Sequence, residues 1–353
     1  MRDLGVEGGC SAFAWETEDG KHLWGRNYDF DRLAQGTAAQ VLPRGTDYAI
    51  SRRETGRKRA RYACAGVGLF LEGTPILYEG MNEKGLMGGQ LYFREHAVYQ
   101  PQPAPCREPV QPPFLVTHLL AQCATVEEAA ACLEGLSLVD EPLLGTVPPL
   151  HWCFSDRTGE MAILEPGERG AVLYRSTLGV MTNSPGYPWH KTNLLNFAGL
   201  RDLDYPGASL GEEIPQCYSG SGAQGLPGDW SSPSRFVRLC YLRKFALRGK
   251  DEAQGVVRLF RILESAAFPL GAVRVSHQSP VTQLDQDVLP YDFTVYSTVY
   301  CAESLGMYWT TYDNQTIRRL DFSRLLDAPR PQSFPLEEPL GFEEVRPVPG
   351  ERN

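Results

Sequence analysis

From residue 10 the chain alternates in strand fashion: CSAFAWET (10–17), then the turn-forming Glu18-Asp19-Gly20-Lys21, then HLWGRN (22–27). Successive side chains of a strand point to opposite faces, so this pattern predicts a hairpin with Cys10 at its first position. Further strands are predicted over 62–71, 75–78 and 86–93, the last entered through the turn pair Lys84-Gly85. Residues 112–123 instead carry apolar positions at helical spacing. Thr125 and Glu128 then form a T-x-x-E box that starts a second helix.

Short strands return over 151–182, with turns at 157–159 and 166–167. Helices are predicted over 189–200, 232–247 and 251–266, Asp251 capping the last. Aromatic and β-branched strands follow at 292–301, 307–312 and 316–322. The order strands, helices, strands, helices, strands shows no repeat and no composition break. It predicts stacked sheet and helix layers in one α+β domain over 10–325, followed by a Pro/Glu-rich surface tail over 326–353.

The chain has 353 residues, 42% hydrophobic and 22% charged, enough to bury a large core without metal clips or disulfides. A net charge of -9 argues against a surface that tracks phosphates, so no nucleic-acid partner is expected. The basic runs Arg52-Arg53 and Arg57-Lys58-Arg59 read as a solvated loop. No apolar run reaches the roughly 18 residues of a membrane span, and the first ten residues lack a secretory h-region. Nine cysteines form no CxxC pair and no zinc-spaced cluster. That reads as reduced thiols, a cytoplasmic location and no metal.

Four stretches could carry chemistry. Cys10 would be a strong nucleophile once ionised, but a free thiol is mostly protonated at neutral pH. Were the Gly9–Cys10 bond cut, the new α-amine, with a pKa of about 7.7–8.0, would supply a base on the same residue. A buried structural cysteine is the plainer alternative. In GRNYDFD (25–31), Arg26 and Tyr28 share one strand face while Asn27 and Asp29 share the other. An Arg beside a thiol depresses its pKa, and a carboxylate can hold an ammonium; a surface ion pair is the alternative. In TNSP (182–185), Asn183 could donate to an oxyanion or merely form an Asx-turn. In GLPGDWSSPSRF (225–236), Arg235 falls in the first turn of a helix, where the macrodipole opposes it and a partner is implied. SGSGAQG (219–225) lacks the Gly-Lys-Ser/Thr of a phosphate loop, no G-x-S-x-G elbow is present, and the six histidines form no HxxxH pair.

Taken together these stretches resemble the choloylglycine hydrolase family, the cysteine N-terminal-nucleophile amidases that include penicillin V acylases and bile salt hydrolases. The resemblance runs from Cys10 to about Phe322, through GRNYDFD, YEGMNEKGLMGGQLYF (78–93), PPLHWCFSD (148–156), GVMTNSPGYPWHKTNL (179–194) and GLPGDWSSPSRFVR (225–238). It implies a four-layer αββα sandwich, usually a homotetramer, with an assembly arm over about 189–219. It implies that Cys10 is nucleophile and, through its amine, general acid/base. Arg26 and Asp29 match the pair around the thiol and amine, Asn183 the oxyanion asparagine, and Arg235 the arginine that completes the network. Tyr92, Asn183 and Tyr28 are the implied oxyanion and substrate-binding positions, and no cofactor is required.

Where bile salt hydrolases typically carry Asn, this chain carries Tyr92, as penicillin V acylases typically do. The resemblance therefore points first to penicillin V, with conjugated bile salts or acyl-homoserine lactones as alternative small amide substrates. A catalytically silent binding relative is the rival of another class. Many members place cysteine directly after the initiator Met, whereas nine residues precede Cys10 here. Residues 1–9 are thus expected to be a pre-peptide removed by self-cleavage, unless the true start lies downstream.

Overall fold

Turn chemistry organises the front of the molecule. In this computed structural model, which describes residues 8–52, 57–275, 281–342 and 344–345, Thr17 N–H donates to Lys21 O at 2.9 Å and Gly20 takes φ +80°. That closes the predicted hairpin between β1 (Gly9–Glu16) and β2 (His22–Phe30), in a register that sets Cys10 opposite Tyr28 and Ala12 opposite Arg26.

The chain continues through β3 (Ala38–Leu42), β4 (Cys64–Leu71), β5 (Thr74–Asn82) and β6 (Met87–Tyr92). Helices α1 (Leu115–Gln122) and α2 (Val126–Glu134) follow. Thr125 caps α2 as expected, its Oγ1 accepting from Glu128 N–H at 3.1 Å, while Glu128 Oε2 reaches back to Ala124 N–H at 2.9 Å. Next come β7 (Leu150–Ser155), β8 (Met161–Gly167), β9 (Gly170–Tyr174) and β10 (Val180–Met181). Helices α3 (Tyr187–Asn193), α4 (Ser232–Phe245) and α5 (Glu252–Glu264) lead to β11 (Tyr291–Cys301), β12 (Gly306–Thr311), β13 (Arg318–Asp321) and β14 (Gln332–Phe334).

Among the described residues, two large antiparallel sheets form the body. One has the order β10-β1-β2-β11-β12-β13, and the other β9-β8-β7-β6-β5-β4-β3-β14. One core fills the space between the sheets and under α4 and α5, with Phe13, Trp24, Met81, Phe236 and Leu259 all buried. A second core, including Leu77, Leu119, Leu120 and Trp152, joins the eight-stranded sheet to α1 and α2. The layers are therefore helix, sheet, sheet, helix: the expected α+β sandwich. No helix among the described residues is long and apolar enough to cross a membrane.

Two segments depart from expectation. Residues 38–42, AAQVL, form β3 inside the eight-stranded sheet, although the pattern there is too short and too uniform to announce a strand. The chain also does not leave the body at 325. Gln332–Phe334 pairs with β3 as an edge strand, and Leu336 is buried, its carbonyl accepting from Trp309 Nε1 at 3.1 Å.

Candidate active site

Alternation along β1 and β2 decides which groups can meet. Cys10, Ala12, Arg26 and Tyr28 share the face toward the inter-sheet core, while Ser11, Asn27 and Asp29 share the face toward the helices. Consistent with this, Asn27 Nδ2 donates to Leu263 O of α5 at 2.8 Å. The sulfur of Cys10 and the carboxylate of Asp29 thus lie on opposite faces of one sheet, with the Cys10 backbone nitrogen at the strand edge between them.

On the inner face, Arg26 Nη2 lies 2.9 Å from Cys10 Sγ. The same guanidinium donates through Nη1 to Glu79 Oε2 at 3.0 Å and to Gln90 O at 2.9 Å. Glu79 is fully buried and also accepts from the Tyr296 hydroxyl at 3.1 Å. Burial lifts its carboxyl to about 7 against the pull of Arg26 and Tyr296. Burial likewise pushes the Cys10 thiol up, and the adjacent Arg26 offsets part of that rise.

On the outer face, α4 sends Arg235 back toward β1. Its Nη1 donates to Cys10 O at 2.6 Å and to Ser11 Oγ at 2.8 Å, and its Nη2 to Asn183 Oδ1 at 2.7 Å. Asn183 arrives by register: β10 pairs Met181 with Ala12, and extending that ladder by two residues brings Asn183 beside Cys10. Its Oδ1 accepts from Cys10 N–H at 2.8 Å, and its Nδ2 donates to Tyr92 O at 2.9 Å. Because Arg235 and the Cys10 nitrogen are both donors, the amide oxygen must face them. Asn183 is held from behind as well, by Ser232 Oγ at 2.9 Å from its N–H and by His190 Nε2 at 3.0 Å from its carbonyl.

Asp29 completes this side. Its Oδ1 accepts from the Thr294 hydroxyl at 2.5 Å, and Thr294 Oγ1 accepts in turn from Phe268 N–H at 2.8 Å. Its Oδ2 is buried without a hydrogen-bond partner. Burial raises the Asp29 carboxyl to about 7, opposed by Arg235, the Thr294 hydroxyl and Arg26. Gly9 packs so closely on Phe268 that a Cβ would come within 2.4 Å of the ring.

A cavity of about 180 Å³ opens beside Cys10, with aliphatic walls from Leu69, Leu71, Ile76, Leu143, Leu144 and Leu150. Tyr28 and Tyr92 also line it. Tyr28 stacks between Tyr78 and Tyr296 at 5.7 and 4.9 Å, and Tyr92 stacks on Phe30 at 5.3 Å. The residues singled out in the sequence, Arg26, Tyr28, Asp29, Tyr92, Asn183 and Arg235, therefore gather around Cys10, some at its sulfur and the others at its backbone. Missing from that set are Glu79 and Thr294, which hold Arg26 and Asp29. Glu79 sits in the YEGMNEKGL stretch, where a carboxylate between strand residues was a signal for a buried counter-charge. Among the described residues no cluster of His, Cys, Asp and Glu could hold a metal ion.

A sequence profile described as linear amide C–N hydrolases, choloylglycine hydrolase family, matches residues 10–333. A bile salt hydrolase/transferase of Lactiplantibacillus plantarum is 30% identical over 93% of this chain and 97% of its own length. The crystal structure of a variant of the conjugated bile acid hydrolase from Clostridium perfringens superposes with a TM-score of 0.85 at 29% identity, covering 96% of this chain and all of that one. A penicillin V acylase of Pectobacterium atrosepticum is 27% identical over 55% of this chain and 50% of its own length.

Proposed function

Because the chain belongs to the choloylglycine hydrolase family of linear amide C–N hydrolases, we propose that it cleaves the amide of conjugated bile salts with Cys10 as nucleophile. The observation that carries this reading is the Cys10 sulfur, 2.9 Å from Arg26 Nη2, at the edge of an aliphatic cavity. A rigid apolar acyl group fits such walls, and its carbonyl then sits over the sulfur. Tyr92 favours penicillin V in the sequence. The full-length likeness to bile-salt enzymes, against a half-length likeness to a penicillin V acylase, moves bile salts ahead.

In the proposed mechanism the freed Cys10 amine takes the thiol proton, and the sulfur attacks the amide carbonyl. Asn183 Nδ2 has one hydrogen on Tyr92 O and a second for the oxyanion. A strand residue points its N–H and C=O to the same edge, so the Tyr92 N–H also faces the site. The ammonium then protonates the leaving amine. Water, deprotonated by the same amine, releases the acid from the thioester. Asn183 Oδ1 and the unpartnered Asp29 Oδ2 are the acceptors that would hold the ammonium across this cycle.

Such chemistry needs a free amine, so residues 1–9 are removed in the active protein; residues 1–7 of that segment lie outside the described residues. Exposed Leu195, Leu203, Leu210 and Tyr218 on the segment after α3 support its use as an assembly arm in a homotetramer. The test of the substrate is kcat/KM for glycocholate, taurocholate, penicillin V and an acyl-homoserine lactone in one buffer. A bile salt should lead by about tenfold, the scale of one misfit contact. A lead of that size for penicillin V returns the reading to an acylase. A folded protein that begins at Cys10 and turns over none of the four is a binding relative.

A further inference from the structure

Two of the stretches that carry the family resemblance each contain a histidine that the mechanism does not use: His151 in PPLHWCFSD (148–156) and His190 in GVMTNSPGYPWHKTNL (179–194). His151 stands on β7 and His190 on α3, with 1% and 2% of their surface exposed. Both converge on the segment that presents Asn183. His151 Nε2 lies 2.9 Å from Thr182 O, and His190 Nε2 lies 3.0 Å from Asn183 O. A phenyl ring stacks on each imidazole, Phe93 on His151 at 4.4 Å and Phe236 on His190 at 4.5 Å.

A carbonyl oxygen only accepts, so both rings carry a hydrogen on Nε2. Neither Nδ1 has a hydrogen-bond partner among the described residues. Glu165 Oε1 stands 3.7 Å from His151 Nδ1, beyond a hydrogen bond, and itself accepts from Tyr187 N–H at 2.8 Å. Burial pulls the His190 imidazole down to about 4, which keeps that ring neutral.

The two carbonyls lie on either side of the Asn183 Cα. A peptide unit is planar, so the direction of a side chain is set by the two planes that flank its Cα. The plane before Asn183 is held at both ends, Thr182 O by His151 and Asn183 N–H by Ser232 Oγ at 2.9 Å. The plane after it is held by His190 at Asn183 O. With both planes fixed, φ and ψ of Asn183 are fixed, and so is the direction in which its side chain leaves the backbone. That side chain has Oδ1 on Cys10 N–H and Arg235 Nη2, and Nδ2 on Tyr92 O.

We propose that His151 and His190 are positioning residues for amide hydrolysis, clamping the backbone on both sides of Asn183 and so aiming its second Nδ2 hydrogen at the oxyanion. The inference rests on the reading of Asn183 as an oxyanion donor given above. Neither histidine lines the cavity beside Cys10, so their loss should reach kcat and spare KM.

The test uses protein produced from Cys10 onward, the mature form proposed above, and whichever of the four amides the wild type turns over fastest. His151→Phe and His190→Phe keep a flat ring and remove the donor. His151→Asn and His190→Asn keep a polar group too short to reach the carbonyl, so a Phe variant that does not fold leaves a second measurement at each position. Each loss variant should lower kcat at least about tenfold, the scale of a misplaced catalytic group, with KM within about twofold. His151→Gln and His190→Gln return an N–H to the region of Nε2 and should recover most of that loss. In an Asn183→Ala background, His190→Phe should have no further effect, because the residue it acts through is gone. Wild-type kcat in a folded loss variant at either histidine overturns the proposal. So does a loss that Gln repeats in full, or one that survives undiminished in Asn183→Ala. A wild type that turns over none of the four amides removes the reading of the site and this inference with it.

Discussion

Cys10 and Cys132 each have a nitrogen donor at the sulfur, yet their surroundings push them in opposite directions. At Cys10 a guanidinium stands 2.9 Å away and the thiol is still pushed up, because full burial outweighs it. At Cys132 the His118 imidazole Nε2 lies 3.7 Å from the sulfur, the site is half-buried, and the thiol is pulled down, chiefly by the Cys123 thiol and then by His118. Direct hydrogen bonds to a sulfur near water decide the second case, and desolvation decides the first. On the proposed mechanism, the Cys10 thiol ionises only when its own amine accepts the proton, which suits a group that reacts only with a seated substrate.

The sharpest way to break this contrast is to remove each sulfur in turn. Cys10→Ser should lower amide hydrolysis on the order of 10³-fold or more, as loss of a nucleophile does. Cys132→Ser should leave kcat/KM unchanged. Turnover by a folded Cys10→Ser protein would transfer the chemistry elsewhere.

Glu79 tests the role of burial. Glu79→Ala strands Arg26 in the core without its carboxylate and should destabilise the fold by roughly 3–5 kcal/mol in urea titrations. The milder Glu79→Gln addresses pH. Its carboxyl rises from an ordinary 4.5 to about 7 on folding, so between those values the folded state holds a proton that the unfolded state has lost. Its contribution is therefore full at acid pH and lost as pH climbs through about 7. The denaturation midpoint of Glu79→Gln should fall less over that range than that of the wild type.

A smaller effect is expected at Tyr92, which lines the cavity without touching the charges around Cys10. Tyr92→Asn should shift the ratio of glycocholate to penicillin V turnover toward glycocholate by about tenfold. An unchanged ratio would take Tyr92 out of acyl selection. Smallest of all, Cys240→Ser should alter kcat/KM by less than about twofold, since surface-ward thiols in packing positions contribute little.

Much of this contrast was legible before any coordinates. Period-two alternation after Cys10 gave the hairpin, and it also separates Arg26 from Asp29, which the structure turns into two faces with two partners. The Thr125/Glu128 pair located the start of α2. What stayed hidden depends on contacts distant in sequence. Thr294 reaches Asp29 across 265 residues, and Glu79 meets Arg26 across 53, so neither leaves a local signature. The strand at Ala38–Leu42 is recognisable only by its neighbours, one of which is the Pro-flanked segment at 332–334 that composition assigns to a tail. Substrate choice was least legible, because the cavity beside Cys10 is walled by residues distant in sequence, Leu143 and Leu144 together with Tyr92.

The Phe268 ring leaves no space for a side chain at residue 9. On the proposed processing, that residue is discarded before the first turnover. Selection would then act on a position absent from the working enzyme, and a lesion there would be one of maturation alone. A Gly9→Val precursor would accumulate uncut, while the same enzyme produced from Cys10 onward would be fully competent. A genetic defect and a catalytic defect would thus be separable by where synthesis begins.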